Sequence, residues 1–253
     1  ALPKAYQGGK YGHRLPIGTI EVIDNFPYQA LRDYYETWYR PDQQGIIVVG
    51  DIDVDKVEAK IKEMFSPIKM PANAPERKYE PVADNKEPII TIAKDKEQPS
   101  TMIYIWHKHP ATPNEAKENI GYSVQHYMFN MIRMMLDARL EELRQNANPP
   151  FIAAGSGFND FLLSKTAEAF SGIAISKDNG ITTAISALVR EIERARKFGF
   201  TASEYARTRA DYLRYIESEY NEREKTKNNQ YVQAYVRHFI DNEPIPGIEN
   251  EYA

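Results

Sequence analysis

The residues of this chain best suited to metal chemistry are His107 and His109, two imidazoles separated only by Lys108. On a β-strand alternate side chains share a face, so this pair would hold a cation if a third ligand joined it. No Asp or Glu stands at a convincing spacing, and Pro110 ends the run at once, so the pair reads as the end of a surface strand. Asp51, Asp53 and Asp55 alternate like the opening of a calcium loop. That loop needs Gly at its sixth position and Glu at its twelfth, where this chain has Lys56 and Lys62. The acids suit a helix start near Val54 better, with Asp53 as its N-cap.

Gly155-Ser156-Gly157 is not a nucleophile elbow, which would need glycines where Ala154 and Phe158 stand. Glycines on a strand permit close backbone approach, here to a long preceding helix. His13 is a lone loop histidine, while His126 and His238 fall on helical stretches at the core edge or surface. Tyrosine is abundant, at 17 residues, and Tyr205, Tyr212 and Tyr215 pack along one helix face. No basic stripe accompanies them, so they are no platform for stacking bases. The residues therefore assign no catalytic, no substrate-binding and no metal position within this chain.

The elements that carry these residues follow from periodicity. A short strand is expected around Thr19–Ile23, and Leu31, Tyr34, Tyr35 and Trp38 mark a helix over 28–39 that Pro41 ends. Ile46-Ile47-Val48-Val49-Gly50 reads as a buried strand, and Val54, Val57, Ile61 and Met64 as a helical stripe. Prolines at 67, 71, 75, 81 and 88 then mark a linker. Beyond it, strands are expected at 89–93 and 102–106, and a capping box at Thr112-Pro113-Asn114-Glu115 opens a long helix to about Gln145. Two strands at 151–158 and 166–175 follow, then helices over 181–192, from the capping box Thr201-Ala202-Ser203-Glu204 to 222, and over 225–240. This order predicts an α+β fold, with antiparallel or mixed sheets carrying helices on one face. The division is 1–66, the incomplete C-terminal part of one α+β unit; 67–88, the linker; and 89–253, a second and more complete unit.

Composition narrows the function classes. A chain of 253 residues with 42% hydrophobic and 27% charged residues suits one large or two modest globular domains. A net charge of -4 gives no electrostatic reason to expect nucleic acid. The absence of cysteine removes disulfides, thiolate catalysis and cysteine metal sites, but leaves the compartment open, periplasmic or cytoplasmic. No apolar run approaches the length of a membrane span.

The stretch YGHRLPIGTIEVIDNF, followed by LRDYYETWYRPDQQGIIVVGDIDVDKVEAKIKEMF, resembles the segment that closes a catalytic domain in the pitrilysin/insulinase family of zinc metallopeptidases. The helix FTASEYARTRADYL is similar to one in that family's following domain. The resemblance implies a metallopeptidase/LuxS-like fold and a parent that cleaves peptides in a chamber closed by two halves. Its zinc would be held by an H-x-x-E-H helix and a later glutamate, and nothing here spells H-x-x-E-H. It thus implies zinc in the parent and no cofactor in this segment, which would wall the substrate chamber beside the missing domains or a homologous subunit. In the half without zinc, an Arg and a Tyr seven residues apart hold substrate. Here Arg144 is followed at that spacing by Phe151, which cannot donate a hydrogen bond. The other implied reading is a segment of an inactive homologue that serves as scaffold or partner of an active peptidase. If the first unit is cut short, it should expose an edge strand and apolar helix faces, and the fragment should self-associate.

Overall fold

The computed structural model describes residues 1–252. Its helices are α1 (Leu2–Ala5), α2 (Ile20–Asn25), α3 (Tyr28–Trp38), α4 (Val54–Phe65), α5 (Ile120–Arg144), α6 (Ile181–Phe198), α7 (Ala202–Asn221), α8 (Asn228–Asp241) and α9 (Ile248–Tyr252). Strands β1 (Met102–Pro110), β2 (Ala153–Asp160) and β3 (Ala167–Ile175) lie between α4 and α6 in the sequence. The fold is α+β, as the periodicity predicts. The chain forms two compact units, and each draws residues from both sides of the proline-rich stretch. One comprises Ala1–Arg14 and Tyr79–Glu217; the other comprises Leu15–Lys78 and the residues from Ser218 on.

The first unit is built on an antiparallel sheet in the order β1-β3-β2. Register places Ile103 and Ala154 on either side of Ala174, so all three face the same way. On that face they meet Leu136 and Leu140 of α5 and Ala184, Leu188 and Ile192 of α6, with Phe151 completing the core. Full burial of each large apolar side chain contributes about 1.5–3 kcal/mol. Gly172 lets α6 approach, since a Cβ there would lie 2.8 Å from Ile192 Cδ1. Part of the opposite face is covered by the N-terminus. Tyr6 packs with Phe161, Ala167 and Ala169, and its hydroxyl donates to the Phe161 carbonyl at 3.3 Å and accepts from Leu163 N–H at 2.9 Å.

The second unit holds α2, α3, α4, α8 and α9. Thr19 and Asp53 cap α2 and α4, accepting from the N–H groups of Val22 and Lys56. Gly45 sits against the Phe239 ring of α8, and Tyr220 stacks on Tyr252 with centroids 4.4 Å apart. Much apolar surface stays uncovered among the described residues: Tyr28 is 80% exposed and Leu31 60%, and Ile46 and Val48 are also exposed.

Four local expectations change. Residues 19–23 form the start of helix α2 rather than a strand, because Thr19 Oγ1 caps its first turn. Residues 46–50 and 89–93 have no ladder partner among the described residues, so they form no strand. Thr112 does not cap the long helix: its N–H and hydroxyl donate to Glu168 across the sheet. A 3-10 turn at Asn114–Glu118 follows, and α5 starts at Ile120 after Asn119.

Candidate functional site

His107 and His109 lie on β1 as expected, facing the same way and opposite Phe170 and Glu168 of β3. The cross-strand pairing supplies the acid that sequence spacing could not reveal. Glu168 Oε2 stands 4.0 Å from His109 Nδ1, but both its oxygens already accept from Thr112, at 2.9 and 3.3 Å. The His107 ring packs on Phe170, with centroids 6.0 Å apart. Among the described residues no three His, Cys, Asp or Glu side chains stand close enough to hold a metal. This donor set does not fit a catalytic zinc, which takes three protein ligands and a water.

The other singled-out residues go to packing and caps. Asp53 caps α4 and also pairs with Lys56 at 2.8 Å; that hydrogen bond, chiefly, holds its carboxyl below the usual range. Ser156 donates twice to Asp137 of α5, from its backbone N–H at 2.7 Å and from its hydroxyl at 2.8 Å. Ser156 thus makes the strand–helix contact, while a Cβ at Gly157 would meet Asn159 and Ser171 within the sheet. The second carboxylate oxygen of Asp137 binds Arg133 at 3.2 Å. Tyr127 and Tyr205 join hydroxyls at 3.0 Å, and Tyr212 packs edge-on against Tyr127 at 5.5 Å. His126 packs on Tyr122, and His238 Nδ1 lies 2.7 Å from the Glu243 carbonyl. His13 ends a 3-10 turn, where its N–H donates to the Lys10 carbonyl.

Arg144 and Phe151 are not brought to one surface. Phe151 is 0% exposed within the core, while Arg144 is exposed and donates to Glu141 at 2.6 Å.

The most tightly organised polar group escaped sequence reading. Arg139, 7% exposed, donates Nε to Glu204 Oε1 at 2.5 Å and Nη2 to Glu204 Oε2 at 3.0 Å. Nη2 also reaches the Gly199 carbonyl at 3.0 Å, and the guanidinium lies 4.4 Å from the Phe200 ring centroid. Glu204 accepts from the Thr201 N–H and hydroxyl as well, completing the expected capping box. The Arg139 hydrogen bond is the chief cause that holds the Glu204 carboxyl down at about 2. The only signal in the sequence was a charged residue set among the apolar positions Leu136 and Leu140. This cluster fastens α5 to the α6–α7 turn; it presents no nucleophile, base or ligand.

The family described as the peptidase M16 inactive domain matches residues 25–212. The chain belongs to this family. It is 26% identical over 246 residues to a "Zinc protease PQQL-like" protein of Arabidopsis thaliana, covering 97% of this chain and 22% of that protein. It is 23% identical over 240 residues to "Probable zinc protease PqqL" of Escherichia coli, covering 94% of this chain and 25% of that protein. The chain thus spans about a quarter of the length of these relatives. Its fold matches the solved first half of the periplasmic protease PqqL from Escherichia coli with a TM-score of 0.81 at 21% identity. That match covers 99% of this chain and 52% of the other. An M16 inactive domain is the pitrilysin/insulinase-type segment that the LPIGT, WYRPD and IIVVGD runs resemble.

Proposed function

We propose that this chain is the non-catalytic segment of a zinc-dependent endopeptidase and forms part of the wall of its substrate chamber. The observation that carries the reading is membership of the M16 inactive-domain family over residues 25–212, in relatives named as zinc proteases about four times its length. In this reading residues 1–66 derive from the C-terminal part of a catalytic-type domain, 67–88 from a linker and 89–253 from a second, non-catalytic domain, although the compact units cross these bounds, with 1–14 joining 79–217 and the residues from 218 on joining 15–78. The catalytic zinc then belongs to ligands outside this chain. The uncovered apolar faces around Tyr28, Leu31, Ile46 and Val48 support this reading, since a lone soluble domain rarely leaves so broad a patch to water. The burial of Phe151 and the likeness to the first half of PqqL support placing the segment in the zinc-bearing half.

The test is zinc content and peptide cleavage, measured on this chain and on the full-length parent side by side. About one zinc and cleavage in the parent, with neither here, is the expected result. Zinc bound by this chain would overturn it. Zinc in neither protein would replace it with the inactive scaffold or partner reading.

A further inference from the structure

Asn179-Gly180 is the one Asn–Gly pair in the sequence, and the turn that holds it calls for both residues. β3 ends at Ile175, and the chain passes through Lys177, Asp178, Asn179 and Gly180 into α6. The Gly180 N–H closes this turn, donating to the Lys177 carbonyl at 2.9 Å. Asn179 takes the left-handed position, with φ 57°, a conformation that glycine and asparagine tolerate best. At Gly180 a Cβ would stand 3.2 Å from the Lys177 carbonyl oxygen and 3.3 Å from Lys177 Cβ, so a side chain would crowd the closing bond. The geometry that selects this pair also sets up a reaction. Asn179 is exposed, and the glycine after it leaves the Gly180 backbone nitrogen without a side chain beside it.

We propose that Asn179 is a site of spontaneous deamidation in the folded chain. The Gly180 nitrogen gives up its proton to solvent base and attacks the side-chain carbonyl carbon of Asn179. The N–Cγ bond forms, the Cγ–Nδ2 bond breaks, and ammonia leaves with a proton, so a succinimide ring remains. Water then opens the ring at one of its two carbonyls. One opening gives aspartate with the main chain unchanged; the other gives isoaspartate, whose main chain is one carbon longer. Water is the only co-reactant. The closing bond sets the pace, since the nitrogen must leave the Lys177 carbonyl before it reacts. The folded chain therefore reacts about five- to tenfold slower than an unstructured one, the cost of opening one backbone hydrogen bond. The two products act on α6 in opposite directions. Its N-cap is Gly180, with no side-chain cap and no acid in the first turn, so aspartate at 179 adds a favourable charge near the helix start. Isoaspartate lengthens the turn and pulls the Gly180 N–H off Lys177, which loosens the end of α6 that carries the buried Ala184 and Leu188. The inference does not depend on the chamber reading, and zinc content does not bear on it.

The test is incubation of the 253-residue chain in mildly alkaline buffer beside the peptide of residues 174–185 as the unstructured reference. Peptide mapping by mass spectrometry follows the conversion of amide to acid, and a protein isoaspartyl methyltransferase counts the isoaspartate. Conversion at Asn179 is expected in both samples, slower in the folded chain. Asn179→Gly accepts the left-handed φ, so it should keep the fold and lose the isoaspartate signal. Once the products are separated, the isoaspartyl form should melt below the parent chain and the aspartyl form no lower than it, with Asn179→Asp as the standard. Conversion in the peptide but none in the folded chain overturns the inference. So does isoaspartate that persists undiminished in Asn179→Gly, which would assign it to another asparagine. Equal rates in chain and peptide would overturn the control by the closing bond, and equal melting of the two products would overturn the effect on α6.

Discussion

Arg139 makes the α6–α7 turn depend on a single carboxylate. Its guanidinium is nearly out of water, with Nη1 buried and unpartnered, so its charge rests on Glu204, the Gly199 carbonyl and the Phe200 ring. Removing one partner of such a pair strands the other. Glu204→Gln is expected to cost about 3 kcal/mol at neutral pH, read from urea unfolding. The pH dependence has a definite sign. The Glu204 carboxyl is depressed to about 2 in the fold, so its contribution is complete above the ordinary carboxylate range and fades as pH falls toward 2. The stability gap between wild type and Glu204→Gln should therefore narrow between about pH 4.5 and pH 2. A gap that stays constant over that window would assign the loss to packing. Glu141 is also held at about 2, chiefly by its hydrogen bond from Arg144, but it lies on the surface. Glu141→Gln serves as the control with little effect on stability.

At the scale of elements, the long helices were legible, the short helix α2 was not, and strands were legible only in part. A helix closes its own hydrogen bonds, so the spacing of Leu31, Tyr34, Tyr35 and Trp38 sufficed to place α3. A strand exists only through its neighbour. Ile46-Ile47-Val48-Val49 and Ile89-Ile90-Thr91-Ile92 have the right composition, yet without a ladder partner among the described residues they form no strand. The Thr201–Glu204 capping box was legible because both partners are local, whereas Thr112 was captured by Glu168, distant in sequence. For the same reason, the Glu168 carboxylate beside His109 could not be read from spacing. Glycines separate in the same way. Gly155 has only Asp137 Oδ1 near its missing Cβ, at 3.8 Å, so Gly155→Ala is expected to be nearly neutral. At Gly172 the new atom would stand 2.8 Å from Ile192 and 3.5 Å from Leu188. Gly172→Val should cost about 2–3 kcal/mol through overpacking. Equal thermal shifts in the two variants would refute the close approach of α6 to β3.

At the scale of the molecule, the units do not follow the order of the chain. Residues 1–14 belong with 79–217, and the residues from 218 on belong with 15–78. The proline-rich stretch looks like a tether between two independent domains, but each compact unit is completed by a segment from the far side of it. Tyr6 shows the physical content of the exchange: it fills the sheet face at Phe161 and accepts the Leu163 N–H, so it is part of a core encoded far downstream. Phe239 does the reverse against Gly45. Cutting the tether should therefore not release two folded pieces. With a protease site engineered among residues 69–77, the nicked chain is expected to co-elute as one species under native conditions and to separate only in denaturant. A tether between self-sufficient domains would give two folded fragments that part on the column. The nick also makes unfolding bimolecular, so the midpoint of the nicked protein should rise with protein concentration while that of the intact chain stays fixed.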